Sequence, residues 1–399
     1  MFKRQETIQL DKRKEPTIEQ IHQKIVQEKD ELIHSFLMQY IRNPNAHLPP
    51  PKTYQDFSKY EGELKSDLRH GKGIYYYANG DIYLGDWYND LFEGEGIYIF
   101  QSGERYEGYL KEGKKHGPGV YYYENGNKYE GQWFNDKKQG HGTYTYLTTN
   151  EFYEGDWVEN EKHGQGIFIY SFGDKYTGGF KNNKKAGFGT LVYASGAKYE
   201  GSWSNDLANG NGIMVYPNKD KYEGEWINGA KHGRGIYIHV DGSYFEGEWE
   251  NDDKNGEGIM VYSNGDQYSG QWMDGERSGR GTYEYANGDV YDGEWKSDQK
   301  DGLGTLEMTS GERYEGEWKE GRKYGAGTYE FANGDTYEGY FLNGERHGNG
   351  IYSWTDKSYY NGEWERDRMT GKGLFCPKEE KGKEVKGIFQ NDEFVKELE

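Results

Sequence analysis

Apolar and polar residues alternate with a period of two along most of this chain, in short runs parted by polar or glycine-bearing links. One stretch shows the unit: Tyr222-Glu223-Gly224-Glu225-Trp226, a polar link, then His232-Gly233-Arg234-Gly235-Ile236-Tyr237-Ile238-His239. Positions 1, 3 and 5 alternate with charged or polar neighbours, the mark of a strand with one packed and one wet face. Positions 14, 16 and 18 form the inner face of a second strand, Gly73-Tyr75-Tyr77 in the first copy and Gly327-Tyr329-Phe331 in the twelfth. The unit reopens at Tyr60, Tyr83, Tyr106, Tyr129, Tyr153, Tyr176, Tyr199, Tyr222, Phe245, Tyr268, Tyr291, Tyr314, Tyr337 and Tyr360, every 23 residues except for one step of 24 after Tyr129. These are fourteen copies, and Val385-Lys386-Gly387-Ile388-Phe389 begins a partial fifteenth.

Position 5 is Trp in ten copies and Leu64, Leu110, Phe180 or Phe341 in the others. Gly stands at positions 3, 12 and 14 throughout. Glycine weakens a strand, so its reason at positions 3 and 14 is space: without a Cβ, large rings lie across the backbone. The Gly at position 12 is expected to serve a turn that needs positive φ. Asn79-Gly80, Asn125-Gly126, Asn264-Gly265, Asn287-Gly288 and Asn333-Gly334 join successive copies and read as two-residue hairpin turns. The expected fold is all-β, an elongated, twisted, single-layer antiparallel meander of about 14 stacked 23-residue β-hairpins, with about 28 strands spaced roughly 4.8 Å apart. Each repeat meets only its neighbours.

The Tyr-Glu-Gly-x-Trp opening, the Gly-x-Gly after it and the 23-residue period resemble MORN repeats (membrane occupation and recognition nexus), over residues 60 to about 380. Local departures are the extra residue near Thr148-Thr149-Asn150, the Asp356-Lys357 turn without Gly, and Cys376-Pro377, where the sheet is expected to end. Tyr222, Gly224, Trp226, Gly233, Gly235 and Tyr237 then stand for the structural core of a repeat.

Composition sharpens this picture. Mean hydropathy is -1.15 and only 33% of residues are hydrophobic, yet aromatics reach 17% beside 60 Gly. Disordered chains are poor in aromatics, so the core is aromatic rather than aliphatic. The net charge is -20; residues 1–59 contribute +2, and the remainder carries -22. That sign repels phosphate backbones and anionic membranes, which argues against nucleic acid as a partner. One cysteine, Cys376, excludes an internal disulfide framework and fits a reducing compartment. No apolar stretch predicts a signal peptide or a membrane span, and a cytoplasmic protein is expected.

The chain is expected to comprise an N-terminal segment (1–59), the array (60–380) and a degenerate partial repeat with a charged tail (381–399). In the first, Thr17-x-x-Gln20 resembles a capping box, and Ile18, Ile21, Ile25, Leu32, Phe36 and Tyr40 recur at helical spacing, predicting one amphipathic α-helix over about 17–42, before Pro49-Pro50-Pro51. It either folds back as a cap on the first hairpin, covering an open sheet edge, or docks on a partner or a second copy.

Catalytic chemistry finds no foothold. The Gly-x-Gly pairs lack the strand–helix context of a phosphate loop. His70, His116, His163, His232 and His347 share position 11 but fall in non-adjacent copies, roughly 20 Å or more apart, too far to share zinc; they read as loop residues. Glu61, Glu107, Glu130, Glu154, Glu200, Glu223, Glu246, Glu315 and Glu338 recur at position 2, about 10 Å from copy to copy, and read as a solvated face. Segments of 59 and about 20 residues cannot hold a catalytic domain of ordinary size; catalytic, metal and cofactor residues are expected to be absent.

The expected function is a non-catalytic scaffold for protein–protein interactions. Arrays made almost wholly of this repeat resemble radial-spoke-head components and other axonemal or cytoskeletal scaffolds, and that resemblance implies a ciliary complex and an axonemal location. The expected contact residues are an exposed aromatic face of central copies, Trp203, Trp226, Trp249 and Trp272, and the helix positions Ile21, Ile25, Leu32 and Phe36. A homodimer pairing through terminal copies is a variant of this reading. The alternative, implied by junctophilin-like family members, is a membrane–cytoskeleton tether that binds phospholipid.

Overall fold

The structure is a computed structural model that describes residues 18–42, 48–378 and 384–398. The chain divides into two compact units, Met1–Leu207 and Ala208–Glu399.

The first unit opens with α1 (Ile18–Phe36), which widens into a π-helical turn at Leu37–Ile41. Thr17, the proposed cap, lies outside the described residues. A two-residue strand β1 (Lys52–Thr53) pairs with β2 (Lys59–Lys65), and β2 pairs with β3 (Leu68–Tyr76). The same two-strand step runs on to β14 (Lys198–Ser204), each strand antiparallel to the one before it. The second unit repeats the step from β15 (Leu207–Val215) to β29 (Arg368–Cys376), and β30 (Val385–Gln390) and β31 (Glu393–Glu397) form the partial fifteenth hairpin. Both units are thus antiparallel meanders of stacked hairpins, with α1 as the one α-helix among the described residues.

Two kinds of turn alternate, and the strongest sequence signal sat on the less obvious one. Within a copy the link is a two-residue turn with both φ positive, as at Asn89 (49°) and Asp90 (71°) or Asn228 (51°) and Gly229 (89°). That is the primed turn whose twist matches a hairpin. Between copies, Asn79-Gly80 does not form such a turn. Gly80 N–H donates to Tyr77 O (3.0 Å) and Tyr77 N–H to Asp81 O (2.9 Å), which makes a three-residue loop with only Gly80 left-handed. Asn79 sits before the left-handed residue and its side-chain oxygen accepts the N–H of Asp81 (3.0 Å).

The Gly at position 12 has positive φ, from 56° at Gly233 to 100° at Gly302, but it lies inside a strand. Opposite β16 (Lys221–Ile227), pairing in β17 (Ala230–Ile238) steps from Gly224↔Gly235 to Glu225↔His232, so Gly233 and Arg234 bulge out. The expected turn is therefore a β-bulge. The histidines at position 11 accordingly belong to strands, His70 to β3 and His232 to β17, and not to loops. The side chain at position 4 accepts the N–H that the bulge frees: Arg234 N–H reaches Glu225 Oε1 at 3.2 Å, and Gln165 N–H reaches Asp156 Oδ2 at 3.0 Å.

A sheet normally buries a face against a second layer; here each hairpin covers its own. The position-1 ring folds flat over the glycines at positions 3 and 14. A Cβ built on Gly224 would meet Tyr222 Oη at 2.6 Å, and one on Gly235 would meet Tyr222 Cζ at 2.6 Å. Tyr222 is fully buried, and its hydroxyl donates to Glu225 O at 3.0 Å. The space the glycines leave is filled by tyrosine.

Candidate interaction surface

The inner face is a closed aromatic zipper. Each position-5 indole stands edge-on to the ring at position 1 of its own copy, as Trp226 does to Tyr222 (5.2 Å, 88°). It also meets the ring before it, as Trp249 meets Tyr222 (5.4 Å, 81°). Such T-shaped pairs match the edge of one quadrupole to the face of the next. All ten repeat tryptophans donate their indole N–H to the C=O of the position-14 glycine one copy back, at 3.0–3.4 Å. Trp203, Trp226, Trp249 and Trp272 are therefore 4–6% exposed. This corrects the expectation of an exposed aromatic contact face: the indoles lie down on the preceding copy, so these four residues are core. Tyr222, Gly224, Trp226, Gly233, Gly235 and Tyr237 occupy this zipper and its bulge.

Position 10 threads a cation through the zipper. Arg69, Lys115, Lys138, Lys185, Lys231, Lys254, Arg277, Lys300 and Arg346 each lie 4.4–4.8 Å from the position-5 Trp of the next copy. Ring faces attract such cations. Burial works against the charge, and it pushes Lys138 and Lys300 down to about 8, with help from neighbouring Lys162 and Lys115 at the first and Arg277 at the second.

Both margins of the strands are stitched by carboxylates and amides. At one, Arg69, Lys115, Lys185 and Lys231 donate backbone N–H groups to Asp90, Asp136, Asp206 and Asp252 of the following turn, at 2.8–2.9 Å. At the other, buried Asp220 accepts Tyr237 Oη (2.9 Å) and Val240 N–H (3.0 Å). Asp266 and Asp335 repeat this with Tyr283 and Ala286, and with Tyr352 and Thr355.

That leaves the outer face, built from positions 2, 4, 13, 15 and 17, as the variable one. Position-2 carboxylates there are partly neutralised by cations two residues before them, as in Lys221–Glu223 (2.7 Å) and Lys128–Glu130 (2.6 Å). In the first unit this face is taken by α1. Leu37 of the π-helical turn clusters with Ile74, Ile82, Leu84 and Ile99, and Ile33, Phe36 and Ile41 pack around them. Arg105 Nη1 reaches Glu28 Oε2 at 3.0 Å, and the Lys72 ammonium lies 5.1 Å from the Tyr40 ring. The helix thus lies on the outer face of copies 1 to 3 and does not cap the edge, which β1 covers. Phe36 is half-buried in this contact and Leu32 lines its border; nothing is described of the side chains of Ile21 and Ile25. The marker in the sequence was Leu84, an apolar residue at position 2 where most copies carry a carboxylate.

Among the described residues no three His, Cys, Asp or Glu side chains are placed to share a metal ion. No described helix is long and apolar enough to cross a membrane.

The MORN repeat family model matches fourteen consecutive segments, from residues 60–82 to residues 360–378. The chain belongs to the MORN-repeat family, whose arrays are repeat scaffolds for protein or membrane interactions. No curated protein matches it. Among solved structures it is similar to the TCP10 domain of Danio rerio CPAP, at 11% identity and a TM-score of 0.24, covering 55% of this chain and 93% of that one. The TCP10c domain of Drosophila melanogaster Sas-4 follows at 16% identity and 0.22, covering 50% and 97%. A virginiamycin B lyase from Staphylococcus aureus reaches 15% and 0.13, covering 69% and 86%. Superpositions that poor carry no argument about this chain.

Proposed function

We propose that this chain is a non-catalytic scaffold that holds protein partners on the outer face of its hairpins, in an assembly of the axonemal type that the family resemblance suggests. One observation carries the reading: the inner face is filled by its own rings, whereas the outer face already receives a helix, α1, on copies 1 to 3. A face that varies from copy to copy while the core repeats offers evenly spaced but distinct contacts. Its carboxylates disfavour an anionic bilayer.

The test combines crosslinking with charge reversal. Tagged protein crosslinked in its native cell should join partners through outer-face residues, and Glu223→Lys with Glu246→Lys should remove those crosslinks while circular dichroism stays unchanged. Crosslinks confined to loop margins, or co-flotation with anionic liposomes at physiological salt in place of protein partners, would sink the reading. Retention on detergent-extracted axonemes tests the setting separately.

A further inference from the structure

The outer-face groove on which α1 lies in the first unit has a counterpart in the second. The first is bordered by positions 2, 3, 4, 13, 14 and 15 of copies 1 to 3, among them Leu84, Tyr109 and Val120, together with α1 itself. In copies 10 to 13 the same positions, joined by positions 17 and 23, line an open groove of about 1180 Å³, which includes Leu303, Thr305, Tyr340 and Ile351. Position 4 is Tyr in only two of the fourteen copies, the third (Tyr109) and the thirteenth (Tyr340), and each lines one of these grooves. Leu303 and Tyr340 are each 58% exposed, and both line the one concavity.

The walls differ in charge. The first groove has Leu84 and Glu107 at position 2, and Tyr76 and Ile99 at position 17 pack in the cluster under α1. The second has Asp292, Glu315 and Glu338 at position 2 and Glu307 and Glu330 at position 17. Arg313 pairs with Glu315 (2.6 Å) and Glu307 (3.4 Å). Glu330 lies opposite Arg313 across the strands and shares its field without an ion-pair contact, and exposed Glu338 enters no ion pair among the described residues.

We propose that this second groove docks an amphipathic helix of a partner protein whose apolar stripe is flanked by lysine or arginine. This rests on the outer-face reading above and names the partner's chemistry. In the first unit the stretch in contact runs from Glu28 to Ile41, fourteen residues or roughly 21 Å of helix. A partner helix of that length matches the four strand spacings, roughly 19 Å, from Leu303 to Ile351, sets its apolar stripe on Leu303, Tyr340 and Ile351, and brings cations to Glu330 and Glu338. α1 itself is a poor occupant, because Glu28, Asp30 and Glu31 would face those carboxylates.

The probe is a labelled peptide of residues 18–42, in its own sequence and with Glu28→Lys, Asp30→Lys and Glu31→Lys, titrated into the full chain by fluorescence anisotropy. The basic peptide should bind saturably, at least tenfold more tightly than the unaltered one, and more weakly as salt screens the pairs. Leu303→Asp, and separately Glu330→Lys with Glu338→Lys, should each weaken it at least tenfold; these side chains are exposed, so the fold is kept. Equal binding of the unaltered peptide would make a second copy the occupant and overturn the proposal, as would no saturable binding or indifference to Leu303→Asp. If the peptide fails while Glu223→Lys with Glu246→Lys still strips native partners, the groove is wrong and the scaffold reading stands.

Discussion

Adding one methyl group at Gly235 tests whether glycine is there for space. The backbone of Gly235 is not left-handed, so alanine meets no torsional penalty and the cost is steric alone. Its Cβ would lie 2.6 Å from Tyr222 Cζ and 2.7 Å from Cε2, with Oη nearer still. Carbon atoms settle at about 3.5–4.0 Å, so the ring must retreat by about 1 Å. It has nowhere to go: Tyr222 is fully buried, wedged between Trp226 and Trp249. Overpacking costs about 1–3 kcal/mol, and spoiling two edge-to-face contacts about 0.5–1.5 kcal/mol each. A local loss of about 3 kcal/mol follows, roughly a hundredfold in the opening constant. Because repeat arrays open locally, the assay is hydrogen exchange over β16, β17 and β18 (Tyr244–Glu250), with segments near residue 314 as internal reference. Tyr222→Ala alone should cost about 3–5 kcal/mol, and the double variant should cost little more, since the methyl enters vacated space. Wild-type protection in Gly235→Ala, or strict additivity in the double variant, would refute the argument. Gly233→Ala, at φ 56° and facing only the end of the Glu225 side chain, should cost about 1–2 kcal/mol for a different reason.

Three further outcomes are expected. Leu84→Glu restores the residue type most copies have at position 2 and should release α1, seen as faster exchange over residues 27–41 with the strands unchanged. Asp220→Ala orphans Tyr237 Oη and Val240 N–H and should cost about 2 kcal/mol, read as exchange at β17 and the turn after it. The thermal midpoint should rise from pH 8 toward 10 and then fall. Lys138 and Lys300, pushed to about 8 by burial, lose their protons in the folded protein before the unfolded chain does, so stability rises there. Burial raises the tyrosines, Tyr199 to about 12, so above pH 10 the unfolded chain ionises first and stability drops. A midpoint falling steadily from pH 8 would mean that the ring faces keep the ammonium groups charged. In acid, Tyr283 Oη and Ala286 N–H, outweighing burial, hold Asp266 below the usual carboxylate range; its contribution is present above about pH 4 and lost as pH falls through the folded value.

The strand pattern was legible because period-two alternation and the 23-residue step report directly on which side chains share a face. The role of Gly224 and Gly235 could be reasoned from the large rings beside them. The fate of the tryptophans could not: alternation places Trp226 on the inner face but does not reveal that its N–H reaches Gly212 O and lays the ring flat. Gly233 misled because positive φ serves bulges and turns alike. Asn79-Gly80 misled because the residue before it, Ala78, extends the loop to three. The position-10 cations passed unnoticed because a lysine between polar residues looks like a surface residue, and only pairing between copies sets Lys231 against Trp249.

A repeat whose core is made on one face, within each hairpin and against the copy before it, frees most of its other face from duty to the fold. Positions 1, 3, 5 and 14 are held nearly constant along this chain by the geometry of one ring over two glycines, so they say nothing about what any single copy does. Positions 2, 13, 15 and 17 have no such constraint, and position 4 only that of an acceptor for the bulge N–H, so an apolar residue or a ring there needs another cause. At Leu84 the cause is visible, since α1 covers it. At Leu303 and Tyr340 the same kind of departure occurs with no element of the described residues over it. In an array of this kind, function is to be sought where the outer face of a copy differs from its neighbours and the inner face does not.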